Sequence, residues 1–284
     1  MTAARIVALG MVLSVAHAAS LKPEAAKAWD DYVESANGDI RERTNAPAGF
    51  LKIDATPAVA AKVHDGQIVV SPAAAHIPKR VPSALIHDWI GTAFLANETM
   101  KDVVSIVRDY PKYTEVYAPH VLESRVISTG ETVDLFSVVL INKSVLSKTA
   151  LDCDYETTFV RVDARRMYSI TQAKRIQEIA DYGTSKQHAF PEGEGTGLIW
   201  RLYSVSRFEE REDGLFIETE AMALSRDIPS ALRLLVEPIV RRVSREALET
   251  ALRQTANAAH ASGAGAAVRV APFQFAPLPA RTLQ

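Results

Sequence analysis

The chain has 284 residues, 48% of them hydrophobic and 23% charged, which is typical of a globular protein with a sizeable core. Its 32 basic residues nearly balance 34 acidic ones, so net charge gives no indication of binding to nucleic acid or to an anionic membrane. The single cysteine, Cys153, excludes an internal disulfide. Its neighbours Asp152 and Asp154 disfavour a thiolate, so we expect a buried, unreactive thiol.

Residues 1–19 have the pattern of a secretory signal peptide. Arg5 precedes an apolar run over residues 6–15, and Ala16-His17-Ala18 supplies a small-x-small cleavage motif. The run is shorter than the roughly 20 apolar residues of a spanning helix. We therefore predict an exported protein, periplasmic or secreted, without a transmembrane segment after signal removal. An uncleaved N-terminal anchor is the alternative.

Residues 20–80 are predicted to form an N-terminal helix followed by an extension. The helix covers residues 23–40 and starts at Pro23, which suits a first turn. Its apolar residues recur at helical spacing, and they are Ala25, Trp29, Tyr32, Val33, Ala36 and Ile40. We expect this face to pack on the main domain; the alternative is a partner-binding helix. Beyond it we predict a short strand at 66–70 within an Ala- and Pro-rich linker or surface extension.

Residues 81–256 are predicted to form the main domain. An apolar strand over 85–95 precedes a helix that begins at Thr99, where Thr99 and Asp102 have the spacing of a capping box. A second short helix is predicted at 112–116. The strands that follow are predicted at 121–128, 132–142, 149–162, 167–179, 197–209 and 215–224. Because short turns join them, we expect antiparallel pairing.

The last two strands form a predicted hairpin whose two faces differ in chemistry. Pairing Phe208 with Leu215 places the arginines of one strand diagonal to the glutamates of the other, which favours a solvent-facing polar surface. The opposite, inward face carries Trp200, Leu202, Ser204, Ser206 and Phe208. Serines on an inward face indicate either a cavity lining or hydroxyls bonded to backbone, and the pattern leaves both open.

A long C-terminal helix follows the hairpin. Its apolar residues form one stripe, composed of Ile228, Leu232, Leu235, Ile239 and Val243. Pro238 predicts a kink or a break, after which Ser244 would cap a second piece. Residues 257–284 are rich first in Ala and Gly and then in Pro, and we predict a disordered tail.

The segments 99–117 and 225–249 resemble the START-related superfamily (polyketide cyclase-like, SRPBCC). Within them, Asp109-Tyr110-Pro111-Lys112-Tyr113 is similar to the superfamily's first helices, and Ser225-Arg226-Asp227-Ile228-Pro229 to a signal-peptide-bearing bacterial branch. The run 81–91 also fits that branch. The resemblance implies an α+β helix-grip fold, in which a curved antiparallel sheet wraps around the C-terminal helix and encloses a cavity. Members bind lipids, sterols, polyketides or plant hormones, and some are cyclases.

The motifs that carry catalysis or metal binding give little signal. The seven histidines include no pair at i, i+4 spacing, and no Gly-x-Ser-x-Gly motif occurs, so we predict no metal, cofactor or assigned catalytic residue. His87 and Trp89 share a strand face, where they would orient a ligand or serve only packing. Lys174 and Arg175 are adjacent, so a regular strand would turn one of them inward to meet an acidic lipid head; a sheet edge or twist would keep both in water.

We expect a protein that binds a hydrophobic small molecule or lipid in an internal cavity, rather than an enzyme. The predicted ligand-binding residues are His87, Trp89, Tyr155, Phe159, Arg175, Trp200, Leu202, Leu232, Leu235 and Ile239. One alternative is a cyclase- or hydrolase-type enzyme that uses His87 in the same cavity. Another is a non-catalytic interaction protein that docks on an envelope complex through the N-terminal helix and the tail; no protein partner is specified.

Overall fold

A computed structural model describes residues 19–46, 49–143 and 148–262. The predicted signal peptide, apart from residue 19, and residues 263–284 of the predicted tail lie outside these residues. Ala19–Ser20 forms a short strand, β1, that pairs with β10 at Glu194–Gly195. The described chain is thus tied to the main domain from its first residue.

The predicted helices and strands follow one another in the predicted order, and the structure adds a helix at Pro57–His64 and short strands that were not predicted. The helices are α1 (Pro23–Asn45), α2 (Pro57–His64), α3 (Met100–Val107), α4 (Tyr113–Val116) and α5 (Arg233–Ser262). The remaining strands are β2 (Val69–Pro72), β3 (Lys79–Val81), β4 (Ala84–Ala96), β5 (Val121–Thr129), β6 (Val133–Lys143), β7 (Lys148–Arg161), β8 (Arg166–Ala180), β9 (His188–Ala189), β11 (Arg201–Arg211) and β12 (Gly214–Arg226). The capping box at Thr99 is present, since Asp102 and Thr99 each accept the other's backbone N–H.

One large antiparallel sheet organises the molecule. Within the described chain its strand order is β2-β4-β12-β11-β8-β7-β6-β5, with β3 added to β4 and β9 to β8. The helix α5 packs on β4 and β2 and also meets α3. The predicted α+β class, an antiparallel sheet with a long C-terminal helix, is confirmed.

The two faces of the sheet are defined by β4. We call the side that carries Gly91 and α5 the helix face, and the opposite side the back face. A Cβ atom on Gly91 would lie 2.6 Å from Leu252 Cδ1, so the absence of a side chain allows the helix to approach the strand. Residues 87, 89, 91 and 93 therefore face α5, and residues 86, 88, 90 and 92 lie on the back face.

The N-terminal region covers the back face. Ala25 and Trp29 of α1 pack against Ile86 and Leu224. The segment 49–64 adds a second apolar cluster around Phe216. The extension also contributes β2 and β3 to the edge of the sheet beside β4. Residues 20–80 thus pack on the main domain. The helix α1 is longer than predicted, because it continues through Asn37-Gly38 to Asn45.

The predicted hairpin register is wrong by two residues. Phe208 pairs with Ile217 rather than with Leu215, because Arg211 lies opposite Gly214 across a tight turn. The predicted division into two faces holds, but the polar face does not meet solvent. Glu218 is buried there and accepts from Arg43 Nη2 at 2.7 Å.

The C-terminal helix also differs from the prediction. It continues through Pro238 as one helix and extends to Ser262, past the predicted tail boundary. Its buried residues are Leu248, Leu252, Thr255 and Ala259. Leu235 is 72% exposed and Ile239 and Val243 are each 50% exposed, so these three residues of the predicted apolar stripe face solvent, whereas Ile228 is buried. None of the described helices is long and apolar enough to cross a membrane.

Candidate functional site

Small side chains meet across the middle of the helix face. In one cross-strand row Ala221 pairs with Ser204, which pairs with Thr171. In the next row Thr219 pairs with Ser206. We call this surface the central strip, and its partly exposed members are Thr171, Leu202, Ser204, Ser206, Thr219, Ala221 and Ala223. Because these side chains are small and aligned by the register, they leave room above the sheet.

Bulky elements surround the central strip. At one end, Phe208 and Ile217 pack with Met100 and Val103 of α3. On the side of β6 and β7, the sheet carries an aromatic cluster formed by Tyr110, Tyr113, Tyr117, Phe136 and Tyr155. On the β4 side, the second half of α5 packs against Gly91. The predicted enclosed cavity is thus, in this structure, an open strip between these walls.

Two surface depressions lie away from the central strip. One of about 530 Å³ lies between the β7–β8 and β11–β12 turns and is lined by charged residues of both signs. The other, of about 290 Å³, lies between α1 and β3 beside Tyr32 and Lys79. Neither is apolar enough to resemble a site for a hydrophobic ligand.

His87 and Trp89 form the β4 margin of the central strip. Trp89 pairs with Ala221 and His87 with Ala223, and they are 8% and 4% exposed. His87 Nε2 lies 2.9 Å from Ser225 Oγ. Burial lowers the pKa of His87 to about 4, against an opposing effect of the Glu237 charge. The imidazole is therefore neutral at physiological pH.

Tyr155, Phe159 and Leu202 lie on the helix face, as predicted. Tyr155 is buried in the aromatic cluster, with its ring 5.3 Å from that of Phe136. Phe159 is buried beneath the Arg108 guanidinium, 4.8 Å from its ring centroid. Only Leu202 is part of the central strip itself. Tyr155 and Phe159 thus border the central strip and do not form its exposed surface.

Arg175 does not lie on the helix face. A bulge in β8 leaves Lys174 unpaired between Ala173, opposite Tyr155, and Arg175, opposite Asp154. The extra residue lets both cations stay on the polar side, where Arg175 contacts Asp154 at 2.6 Å. The prediction of an inward cation for an acidic lipid head is wrong, because the strand is not regular there.

Trp200 and the helix stripe were also misplaced. Strand β11 begins only at Arg201, so the alternation cannot be extended to Trp200, which packs on the back face with Trp29. Leu232 lies in a short 3-10 turn before α5 and is partly buried. Leu235 and Ile239 do not contact the sheet core; they are exposed.

Ser225 was missed as a candidate residue. It lies opposite Leu85 at the end of β12 and bonds to His87. The predicted strand ended at residue 224. Extending it by one residue would have assigned Ser225 to the same inward face as Ala221 and Ala223.

Comparisons with known proteins found only distant structural similarity. No protein-family model and no curated protein matches the sequence. A STAR-related lipid transfer protein from Xanthomonas axonopodis is similar at 16% identity and a TM-score of 0.45, covering 67% of this chain and 98% of that one. The di-domain ARO/CYC StfQ of steffimycin biosynthesis is 16% identical with a TM-score of 0.43, covering 63% and 52%.

A START superfamily protein from Mycobacterium smegmatis is 10% identical with a TM-score of 0.40, covering 62% of this chain and 99% of that one. At such identities a likeness concerns the fold alone. The chain's own architecture, an antiparallel sheet with a long C-terminal helix on one face, is the α+β arrangement predicted from the sequence.

Proposed function

We propose that the chain binds a hydrophobic small molecule on the central strip, outside the cytoplasm. The observation that carries the proposal is the strip itself: small, uncharged side chains aligned across three strands and left partly exposed. The exposed apolar residues Leu235, Ile239 and Val243 of α5 are a second uncovered surface of the same domain. Monomeric proteins rarely expose such surfaces without a binding role.

Burial of apolar ligand surface on the strip would supply the binding free energy. Burying roughly 300 Å² of apolar ligand surface at about 25 cal/mol per Å² supplies roughly 7 kcal/mol before the costs of ordering are subtracted. The walls formed by Trp89 and Phe159 add aromatic contacts. The small residues of the strip determine how deep a ligand can settle.

The export pattern of residues 1–19 supports a location outside the cytoplasm. Ser20, the first residue after the predicted signal, pairs with Glu194 at the edge of the domain. Fractionation of cells that express the full chain tests this part: recovery of an unprocessed chain in the cytoplasm would contradict it.

The binding proposal is tested by native mass spectrometry of the purified chain, followed by organic extraction of what copurifies. We expect a stoichiometric adduct. Ala221→Phe fills the central strip and should abolish the adduct, whereas Ala164→Phe, on an exposed turn, should retain it. An adduct that survives Ala221→Phe would place the ligand elsewhere. An adduct-free chain that no lipid or quinone stabilises would refute binding.

One observation favours a second candidate, hydrolysis of an ester ligand. Ser225 Oγ lies within hydrogen-bond distance of a neutral imidazole, the arrangement of a nucleophile and its base. No partner for His87 Nδ1 occurs among the described residues, so the group that orients the base in a triad is missing. Ester turnover that His87→Ala removes, while binding persists, would support this candidate; turnover that survives would exclude it.

A further inference from the structure

Two nitrogen atoms beside the central strip have no hydrogen-bond partner. Trp89 Nε1 and His87 Nδ1 are both buried, and within the described residues neither is paired. Native proteins pair nearly all buried polar groups, because an unpaired one costs free energy. An indole N–H can only donate, whereas an imidazole nitrogen donates or accepts according to its tautomer. The margin of the strip therefore offers one fixed donor and one adaptable group.

We propose that the ligand of the central strip carries an uncharged hydrogen-bond acceptor, a carbonyl oxygen, that Trp89 Nε1 binds. This inference rests on the proposed function and names its ligand class: a hydrophobic ketone, ester or quinone rather than a fatty acid or phospholipid. The second unpaired nitrogen, His87 Nδ1, is two residues away on the same strand face. It bonds to a neighbouring oxygen or hydroxyl of the same ligand.

The charges around the strip argue against an anionic ligand. All members of the central strip are uncharged. Near His87, Glu237 carries a negative charge, and Arg80 and Arg241 lie beside that carboxylate. Arg233 lies 3.9 Å from Asp227, another carboxylate. Among the described residues, these cations lie beside carboxylates, although Arg233 Nε has no hydrogen-bond partner. Burying an anionic head beside cations that are already engaged would cost more free energy than burying a neutral carbonyl.

Arg175, which the sequence predicted as a ligand-binding cation, does not favour an anionic ligand either. Arg175 lies on the back face between Asp152 and Asp154 and is unavailable to the strip. The neutral His87 can form a hydrogen bond with a neutral polar group of the ligand. The geometry therefore favours carbonyl recognition through a neutral hydrogen bond.

The test compares three ligands of equal chain length on the full chain: a long-chain methyl ketone, the corresponding fatty acid and the corresponding alkane. Their affinities are measured by displacement of Nile red, a neutral fluorescent probe, at about pH 8, where the acid is ionised. We expect the ketone to bind about tenfold more tightly than the alkane and more tightly still than the acid, as one buried hydrogen bond implies. This series needs no variant and so does not depend on a variant's folding.

Trp89→Phe removes the N–H and keeps an aromatic ring. It should remove the ketone's advantage over the alkane. Trp200→Phe is the matched control, because Trp200 Nε1 is also buried without a partner among the described residues but lies on the back face. That variant should bind all three ligands as the unmodified chain does. Thermal unfolding of both variants verifies that each is folded.

The other possible results of these experiments contradict the inference, the assignment to Trp89 or the proposed function. Nile red binding with equal affinities for the ketone and the alkane, or with tighter binding of the acid, overturns the inference and leaves the proposed function standing. A ketone preference that Trp89→Phe leaves intact overturns the assignment to Trp89. If neither Nile red nor any ligand binds, the proposed function fails and the inference fails with it.

Discussion

Asp88 makes the stability of the domain depend on pH. Its carboxyl lies on the back face beneath α1, where Oδ2 accepts from the Tyr32 hydroxyl at 2.8 Å and Oδ1 has no partner within the described chain. Burial, followed by the charge of Glu220, raises the pKa of Asp88 to about 7, against the opposing effects of the Tyr32 hydrogen bond and the Lys52 charge. The perturbation we consider is Asp88→Asn, which keeps the shape and removes the charge.

The sign follows from proton binding. Between about pH 4 and pH 7 the folded chain holds a proton on Asp88 that the unfolded chain has released, so folding is favoured at the acidic end. This stability is fully present below the ordinary pKa of 3.8 and is lost as the pH rises through about 7. At about 1.4 kcal/mol per pH unit, the loss amounts to roughly 4 kcal/mol.

The assay is urea unfolding at a series of pH values between about 5 and 8. The unmodified chain should become less stable as the pH rises, whereas Asp88→Asn should lose most of that slope and be roughly 2 to 4 kcal/mol more stable near pH 8. Asp39→Asn, at an exposed position of α1, is the control and should keep the slope. Identical slopes for the unmodified chain and Asp88→Asn would refute the reasoning.

Three further predictions concern the helix face. Gly91→Ala places a Cβ against Leu252 and should lower the unfolding free energy by about 1–3 kcal/mol. Gly38→Ala, in α1 with nothing within 4 Å of the added atom, should raise it by about 0.5–1 kcal/mol, and an equal effect of the two would contradict the close approach of α5. Leu235→Glu should change stability by less than about 0.5 kcal/mol and leave Nile red binding unchanged, because Leu235 is exposed and lies outside the central strip; weaker binding would show that the helix stripe belongs to the site. Burial raises the pKa of Cys153 to about 12, so iodoacetamide should label it only in denaturant, and labelling of the folded chain would show the thiol to be accessible.

The sequence allowed the sheet faces to be predicted wherever strands are regular. Alternation assigned Leu202, Ser204 and Ser206 to the face that carries the central strip. It failed at Arg175, since a single bulge residue reverses the direction of all that follows. It failed at Trp200 because the strand starts at Arg201, four residues later than predicted. Neither the bulge in β8 nor the start of β11 is indicated by the residue types at those positions.

Burial of the polar face was not predictable from the hairpin alone. Arg207 and Glu218 have the composition of a surface pair, and they became buried because α1 and the segment 49–64 dock over them. Docking of a distant segment is a tertiary effect that strand periodicity does not contain. The exposed stripe of α5 has a similar origin: the helix directs Leu248 and Leu252 toward the sheet, which leaves Leu235 and its neighbours outside.

The pairing of β4 with β12 constrains how the chain can fold. Ala96 pairs with Gly214 and Ala84 with Arg226, so the strand that carries His87 and Trp89 finds its partner only in the last quarter of the described chain. Closing loops of that length before any contact forms is slow, and it leaves β4 unpaired on one side while the chain emerges from the ribosome. The pairing of β4 with β12 is therefore among the last long-range contacts that become possible as the chain is synthesised.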